Sequence, residues 1–173
     1  MAVRIAPWAP EHAEALQALA SDARIAATTL VPHPYPPDGA PSFIEAVTKG
    51  RANREVFSFA VLDGDTLVGS CGIKHLDWGA RCGEIGYWIG VPYWGRGLAT
   101  EAVRLVTAFG VEDLDLGRIE AEVLATNPAS GRVLDKAGYR RVGTFANLNA
   151  RHAGTLTWRY RLDVPVATGP EAG

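Results

Sequence analysis

The residues whose types and spacing most clearly suggest a binding site form a glycine-rich turn, residues 93–100, between a predicted strand and a predicted helix. Backbone N–H groups at the start of a helix have no intrahelical acceptor and lie at the positive end of the helix dipole, so they bind anions such as phosphate. Gly95 and Gly97 would let a phosphate approach the backbone, because neither has a Cβ. A tight turn that needs glycine for positive φ explains the same residues, so the turn alone indicates a candidate anion site only.

Two other glycine-loop chemistries are excluded by specific residues. A P-loop requires G-x-x-x-x-G-K-S/T, and Gly90 and Gly95 have that spacing, but Arg96 and Gly97 stand where Lys and Ser or Thr are needed. A dinucleotide-binding fingerprint requires G-x-G-x-x-G, and its third glycine is Thr100 here.

Hydrophobic periodicity and turn signals predict the elements that position this turn. The predicted strands cover residues 2–7, 56–62, 67–75, 82–89, 118–124, 139–145 and 155–162, and the predicted helices cover 10–20, 41–49, 97–112 and 128–137. Five of the 11 prolines lie in residues 31–41, which predicts a surface loop. Hairpin-linked strands come first and strand–helix alternation second, so we predict a mixed sheet in a single α+β domain.

Composition narrows the class of protein. The 173 residues suit one domain, and the formal net charge of −2 offers no basic surface for direct nucleic-acid binding. The N-terminus lacks the pattern of a signal peptide and no apolar run is long enough to cross a membrane, which predicts a cytoplasmic protein. Cys71 and Cys82 form no C-x-x-C pair, which favours two reduced thiols, and the four histidines lack metal-ligand spacing.

The turn Trp94-Gly95-Arg96-Gly97-Leu98-Ala99 resembles the acyl-CoA-binding motif of the GNAT acetyltransferase superfamily, Gln/Arg-x-x-Gly-x-Gly/Ala. Trp replaces the first residue, as in the Rim-type branch of ribosomal-protein N-terminal acetyltransferases, where Y-W-G-x-G-x-A-T-E-A is usual. The resemblance continues through residues 83–88, 118–121, 127–130 and 134–139 and covers roughly residues 2–162 in order and spacing.

The resemblance implies an N-acetyltransferase domain over residues 1–162. From residue 163 onward the composition offers nothing to bury, which predicts a disordered tail over residues 163–173. The resemblance also implies a mostly antiparallel seven-stranded sheet, about four helices, and acetyl-CoA in a cleft where two central parallel strands splay apart, with no metal. The implied CoA-binding residues are Ile89, Gly90, Val91, Trp94, Gly95, Arg96, Gly97, Leu98, Ala99, Thr100 and Asn127. Asn127 also has the right chemistry to cap the helix that follows it.

Acetyl transfer to an amine requires a base for the ammonium and an acid for the leaving thiolate. Glu84, which begins the central strand, is the predicted base, and its alternative role is a structural ion pair. The tyrosine that serves as the acid in many family members is replaced by Leu134, so Ser130 is the predicted acid. The predicted acceptor contacts are His33, Tyr35, His75 and Trp88.

The acceptor that the resemblance implies is a protein N-terminal α-amine. The alternatives are a small-molecule amine or antibiotic, or a non-catalytic protein that senses CoA. A homodimer is compatible with the sequence.

Overall fold

The computed structural model describes residues 2–165 as one sheet with helices packed against it. The strands are β1 (Val3–Pro7), β2 (Phe57–Asp63), β3 (Thr66–Asp77), β4 (Cys82–Ile89), β5 (Arg118–Leu124), β6 (Arg140–Ala146) and β7 (Leu156–Asp163). The helices are α1 (Ala13–Ala20), α2 (Ala23–Ala26), α3 (Gly39–Ala52), α4 (Leu98–Glu112) and α5 (Pro128–Lys136), with 3-10 turns at Pro10–His12, Val91–Tyr93 and Ala150–His152.

The seven strands have the order β1-β2-β3-β4-β5-β7-β6. Every neighbouring pair is antiparallel except β4 and β5, which are parallel. This confirms the α+β class and the mixed, mostly antiparallel sheet. The described residues hold five α-helices where about four were predicted, and the additional one is the short α2. Asp22 begins α2 by accepting a hydrogen bond from the Arg24 amide, a local contact of 2.9 Å.

Two apolar clusters cover the two faces of the sheet. One packs α4 against β2–β5, and the other packs α1 and α3 against β2 and β3. Strand β2 contributes to both, because Phe59 and Val61 point to the first cluster while Ala60 and Leu62 point to the second. A strand buried on both faces reads as a continuous apolar run, as residues 56–62 do.

The ends of the chain correct one prediction in part. Asp163, assigned to a disordered tail, is the last residue of β7 and accepts hydrogen bonds from Arg118 and Arg140. The Val164 amide then donates to the Gly117 carbonyl. The remainder of the predicted tail, residues 166–173, lies outside the described residues. Within residues 2–165 no helix has the length and apolarity that a membrane crossing needs.

Candidate active site

Strands β4 and β5 separate soon after they begin. They pair at three positions, Cys82 with Arg118, Gly83 with Ile119 and Glu84 with Glu120. Beyond Glu84 the β5 side of β4 has no ladder partner from β5, so backbone donors and acceptors there are left for other partners. The gap opens into a cleft of about 1300 Å³ that continues along β4 to the glycine-rich turn. The predicted splay of the central parallel strands is therefore present.

The glycine-rich turn closes one end of this cleft. The Trp94 indole N–H donates to the Ile89 carbonyl at 2.7 Å, which fixes the turn against the end of β4. Gly95 and Gly97 have φ of +76° and +77°, a conformation that glycine adopts without strain. Both positions are open, because a Cβ on either would meet no atom within 4 Å. The turn thus combines positive φ with free space, so a phosphate could approach its backbone.

Helix α4 presents its N-terminus to the same space. Its first intrahelical hydrogen bond runs from the Glu101 amide to the Gly97 carbonyl, so the amides of Leu98, Ala99 and Thr100 precede the helical ladder. All three residues line the cleft together with Ile89. The residues predicted from the motif are brought together except for Gly90 and Val91, which do not line the cleft. The Gly90 amide instead donates to the Val68 carbonyl, and Val91 begins a 3-10 turn.

The positive charges near the turn are Arg96, which is one of the implied CoA-binding residues, and two residues of α5 that were not predicted. Arg96 lines the cleft, but its guanidinium lies 2.7 Å from Asp63 Oδ2, so its charge is already paired. Two cations of α5, Arg132 and Lys136, also line the cleft and were missed by the sequence analysis. They are four residues apart and therefore share one face of the helix. That spacing is visible in the sequence, but which face of α5 meets the cleft is not.

Glu84 lies at the last paired position of β4 and β5, on the wall of the cleft. Both of its carboxylate oxygens are engaged: Oε1 lies 3.4 Å from Lys74 Nζ, and Oε2 lies 2.9 Å from His75 Nδ1. Glu84, the predicted base, therefore also forms the ion pair that was its alternative role. His75 was predicted as an acceptor contact and not as a partner of Glu84, and Lys74 had no predicted role. No periodic pattern places both of them on one carboxylate.

Ser130 has an unpredicted partner on β4. The Tyr87 hydroxyl donates to the Ser130 carbonyl at 3.0 Å, and its oxygen lies 2.7 Å from Ser130 Oγ. Burial raises the pKa of Tyr87, which keeps its phenol protonated. Tyr87 points to the opposite face of the sheet from Glu84, because the two are three residues apart on one strand. Glu84 and the Tyr87–Ser130 pair therefore lie on opposite faces of the sheet, beside the gap between β4 and β5.

Asn127 is the N-cap residue of α5, as predicted, but within residues 2–165 its side chain makes no capping hydrogen bond. The cap contact comes from its backbone, since the Ser130 amide donates to the Asn127 carbonyl at 3.1 Å. Asn127 lines the cleft, where a carboxamide can both donate and accept hydrogen bonds.

Three of the predicted acceptor contacts lie on the cleft wall and one does not: Tyr35, His75 and Trp88 line the cleft, whereas His33 is exposed and is not among the lining residues. The β6–β7 loop, residues 147–155, contacts residues 29–31 beside the cleft: Arg151 donates to the Val31 carbonyl, and His152 Nε2 lies 3.1 Å from the Thr29 carbonyl. No sequence signal indicated that this loop meets residues more than 100 positions earlier.

The described part of the chain contains no group of three or more His, Cys, Asp and Glu side chains with metal-binding geometry. Cys71 is buried and Cys82 is half-buried, and both are free thiols. On β5, Glu122 lines the cleft and is paired with Arg159 at 3.2 Å.

Comparison with known proteins agrees with this architecture. Residues 3–140 match the sequence family described as the acetyltransferase (GNAT) domain. N-acetyltransferase p20 of Bacillus licheniformis is 38% identical over 95 residues, which are 55% of this chain and 52% of that relative. The chain thus matches about half the length of this relative.

Two solved structures share the fold. RimL, a ribosomal alpha-N-protein acetyltransferase in complex with coenzyme A, superposes with a TM-score of 0.83 at 12% identity and covers 94% of both chains. Spermidine N-acetyltransferase from Vibrio cholerae, in complex with CoA and spermine, superposes with a TM-score of 0.80 at 16% identity and covers 93% of this chain and 95% of that one. With the family match spanning most of the described residues, this chain belongs to the GNAT acetyltransferase domain family.

Proposed function

We propose that this protein transfers an acetyl group from acetyl-CoA to a primary amine by direct attack in a ternary complex. The observation that carries the proposal is the cleft between β4 and β5, with an open glycine turn at one end and a carboxylate at the other. From Ile89 to Glu84 the strand runs for roughly 16 Å at about 3.3 Å per residue, which suits an extended ligand lying along β4.

Acetyl-CoA fits this cleft in one direction. Its pyrophosphate would meet the amides of residues 95–100, where the helix dipole and the absence of a Cβ favour an anion. Arg132 and Lys136 stand where they would add positive charge for the phosphates. The amides of the pantetheine arm would occupy the unpaired edge of β4, as a peptide does when it extends a sheet. The thioester would then reach the Glu84 end.

The chemistry at that end requires three proton movements. The acceptor ammonium loses a proton, and its nitrogen lone pair attacks the thioester carbonyl carbon. The C–N bond forms, the C–S bond breaks, the nitrogen loses a second proton, and the thiolate takes one. We assign the first transfer to the Glu84 carboxylate or its hydrogen-bonded partner His75, and the protonation of the thiolate to Ser130, with Tyr87 as the group that resupplies its proton.

For the acceptor we propose a protein N-terminal α-amine, in a cytoplasmic setting. The support is the Rim-type sequence of the glycine turn. The carboxylates Glu84 and Glu122 also line the cleft, and each is ion-paired with a cation of this chain. The space beside them is open, since a Cβ on Gly86 would meet no atom within 4 Å. Val31 and Phe43 form an apolar wall for the first side chain of a peptide. A polyamine is the second candidate acceptor, since a spermidine N-acetyltransferase shares the fold.

The test is an acceptor panel. The protein is incubated with acetyl-CoA and with peptides that begin with Ala, Ser or Met, with the same peptides blocked at the N-terminus, and with spermidine and small amines. Thiol release and product mass are measured. Turnover on free but not on blocked peptides supports the proposal. Turnover on spermidine alone would show that the acceptor is a polyamine and not a protein N-terminus. Acetyl-CoA binding without turnover on any amine indicates a CoA sensor and refutes the enzymatic proposal.

A further inference from the structure

We infer that His75 Nε2 is the general base that accepts the proton of the acceptor ammonium, and that Glu84 is the positioning residue that orients it. The inference rests on the proposed acetyl transfer and concerns which of two touching groups takes the proton. Both line the cleft, and His75 Nδ1 lies 2.9 Å from Glu84 Oε2.

The backbone at His75 is distorted in a way that creates this pair. In a regular strand Lys74 and His75 would point to opposite faces of the sheet. The register of β3 on β4 shifts between Lys74 and Asp77, and His75 has φ of +50°. This bulge turns both side chains onto Glu84. Positive φ in a non-glycine residue is strained and is concentrated at functional sites.

The hydrogen bond sets the tautomer of the ring. An ionised carboxylate only accepts hydrogen bonds, so the proton between the two groups lies on Nδ1. A neutral imidazole with Nδ1 protonated has its free lone pair on Nε2. Within residues 2–165 Nε2 has no hydrogen-bond partner, and the side chain is 68% exposed on the cleft wall. His75 thus presents an oriented, accessible proton acceptor.

Glu84 is less suited to accept the proton itself. Its side chain is 23% exposed, and each oxygen already has a positively charged or donating partner, Lys74 on one side and His75 on the other. Protonation would break one of these contacts. A carboxylate that holds the Nδ1 proton of an imidazole and stabilises the imidazolium when it forms has the orienting role seen in histidine–carboxylate pairs generally.

The other charged groups near the pair do not touch the imidazole. Glu120, the neighbour of Glu84 on β5, is paired with Arg161 at 2.9 Å. The further charged and titratable side chains that line the cleft, besides its tyrosines, are Arg24, Arg96, Glu122, Arg132, Lys136 and His152. Among the described residues Glu84 is the hydrogen-bond partner of His75.

The protons balance as follows. The ammonium transfers one proton to His75 Nε2, which passes it to solvent. The amine attacks the thioester, and the nitrogen then loses a second proton, matched by the one that the leaving thiolate takes. The third proton stays on the amide. The products are the acetylated amine, free CoA thiol and one proton in solution.

The experiment compares the pH profile of kcat/KM in His75→Asn and Glu84→Gln. Asparagine tolerates positive φ, so it keeps the bulge while removing the base. We expect His75→Asn to lower kcat about 10²–10⁴-fold and to lose the acid limb of the profile. Glu84→Gln still accepts a hydrogen bond from Nδ1, so it should be slower than the wild type but keep an acid limb. Asp115→Asn, at another non-glycine residue of positive φ (+55°) that does not line the cleft, is the matched control and should behave as the wild type.

Acetyl-CoA affinity and thermal melting, measured on each variant, separate a catalytic loss from misfolding. Imidazole added to His75→Ala should restore part of the turnover together with the acid limb. The opposite pattern, in which Glu84→Gln loses the acid limb while His75→Asn keeps both limb and rate, would overturn the inference and make Glu84 the base. If the wild type acetylates none of the amines, that result would instead refute the proposed function.

Discussion

Replacing Gly97 by alanine tests the proposed pyrophosphate site and separates binding from backbone strain. Gly97 has φ of +77°, and a Cβ there would meet no protein atom within 4 Å. The alanine variant is therefore destabilised only by its left-handed backbone conformation. A left-handed conformation costs a residue with a Cβ about 1–2 kcal/mol. The lower entropy of alanine in the unfolded chain offsets about 0.4–1 kcal/mol. We expect a net loss of about 1 kcal/mol in the free energy of unfolding and a fall in Tm of about 2–4 °C.

The loss of acetyl-CoA affinity should be larger. The new Cβ would occupy the space through which a phosphate reaches the amides of α4, and a hydrogen bond to a charged group contributes about 1.5–3 kcal/mol. The expected increase in Kd is about 10- to 150-fold, because each 1.4 kcal/mol corresponds to a factor of ten. Calorimetric titration with acetyl-CoA measures it.

Gly64→Ala is the matched control. Gly64 has φ of +61°, its Cβ would also meet nothing within 4 Å, and it lies in the β2–β3 turn outside the cleft. It should lose similar stability and keep wild-type affinity for acetyl-CoA. Wild-type affinity in a folded Gly97→Ala variant would refute the assignment of this turn to the pyrophosphate. Equal losses of affinity in both variants would show that strain alone is responsible.

Three further predictions concern the acid, the thiols and the acid stability of the fold. Ser130→Ala should lower kcat about 10²–10⁴-fold with little change in acetyl-CoA affinity, and Tyr87→Phe should lower it less, because the serine hydroxyl remains; unchanged rates would remove both from the mechanism. Burial raises the pKa of the Cys71 thiol, so a thiol reagent should label only Cys82 in the native protein, and Cys82→Ser should show no labelling until it unfolds. Hydrogen bonds from the arginine two residues later lower the pKa of Asp22 from 3.8 to about 2, so the stability this carboxylate contributes is present above about pH 4 and is lost as the pH falls through 2. The difference in unfolding free energy between the wild type and Asp22→Asn should therefore narrow between pH 5 and pH 2, and a constant difference would contradict the role of the ion pair.

The sequence by itself determined the elements and the glycine turn. Strands β4 and β5 have the predicted bounds, 82–89 and 118–124, because apolar alternation between turn signals is a local property. The positive φ of Gly95 and Gly97 was likewise readable, since two glycines before a strong helix favour that conformation. The splayed parallel pair followed from the resemblance of several motifs in order and not from any single residue.

Tertiary structure alone decided which side chains meet in the site. Tyr87 and Ser130 are 43 residues apart, and alternation gives the face of a strand but not the helix that packs on it. The two partners of Glu84 depend on a bulge at His75 that no periodic pattern marks. Local pattern fixes the conformation of a segment, whereas long-range packing fixes its neighbours. The contacts of Glu84 and Ser130, on which the proposed proton transfers rest, therefore become visible only when β3, β4 and α5 have been brought together.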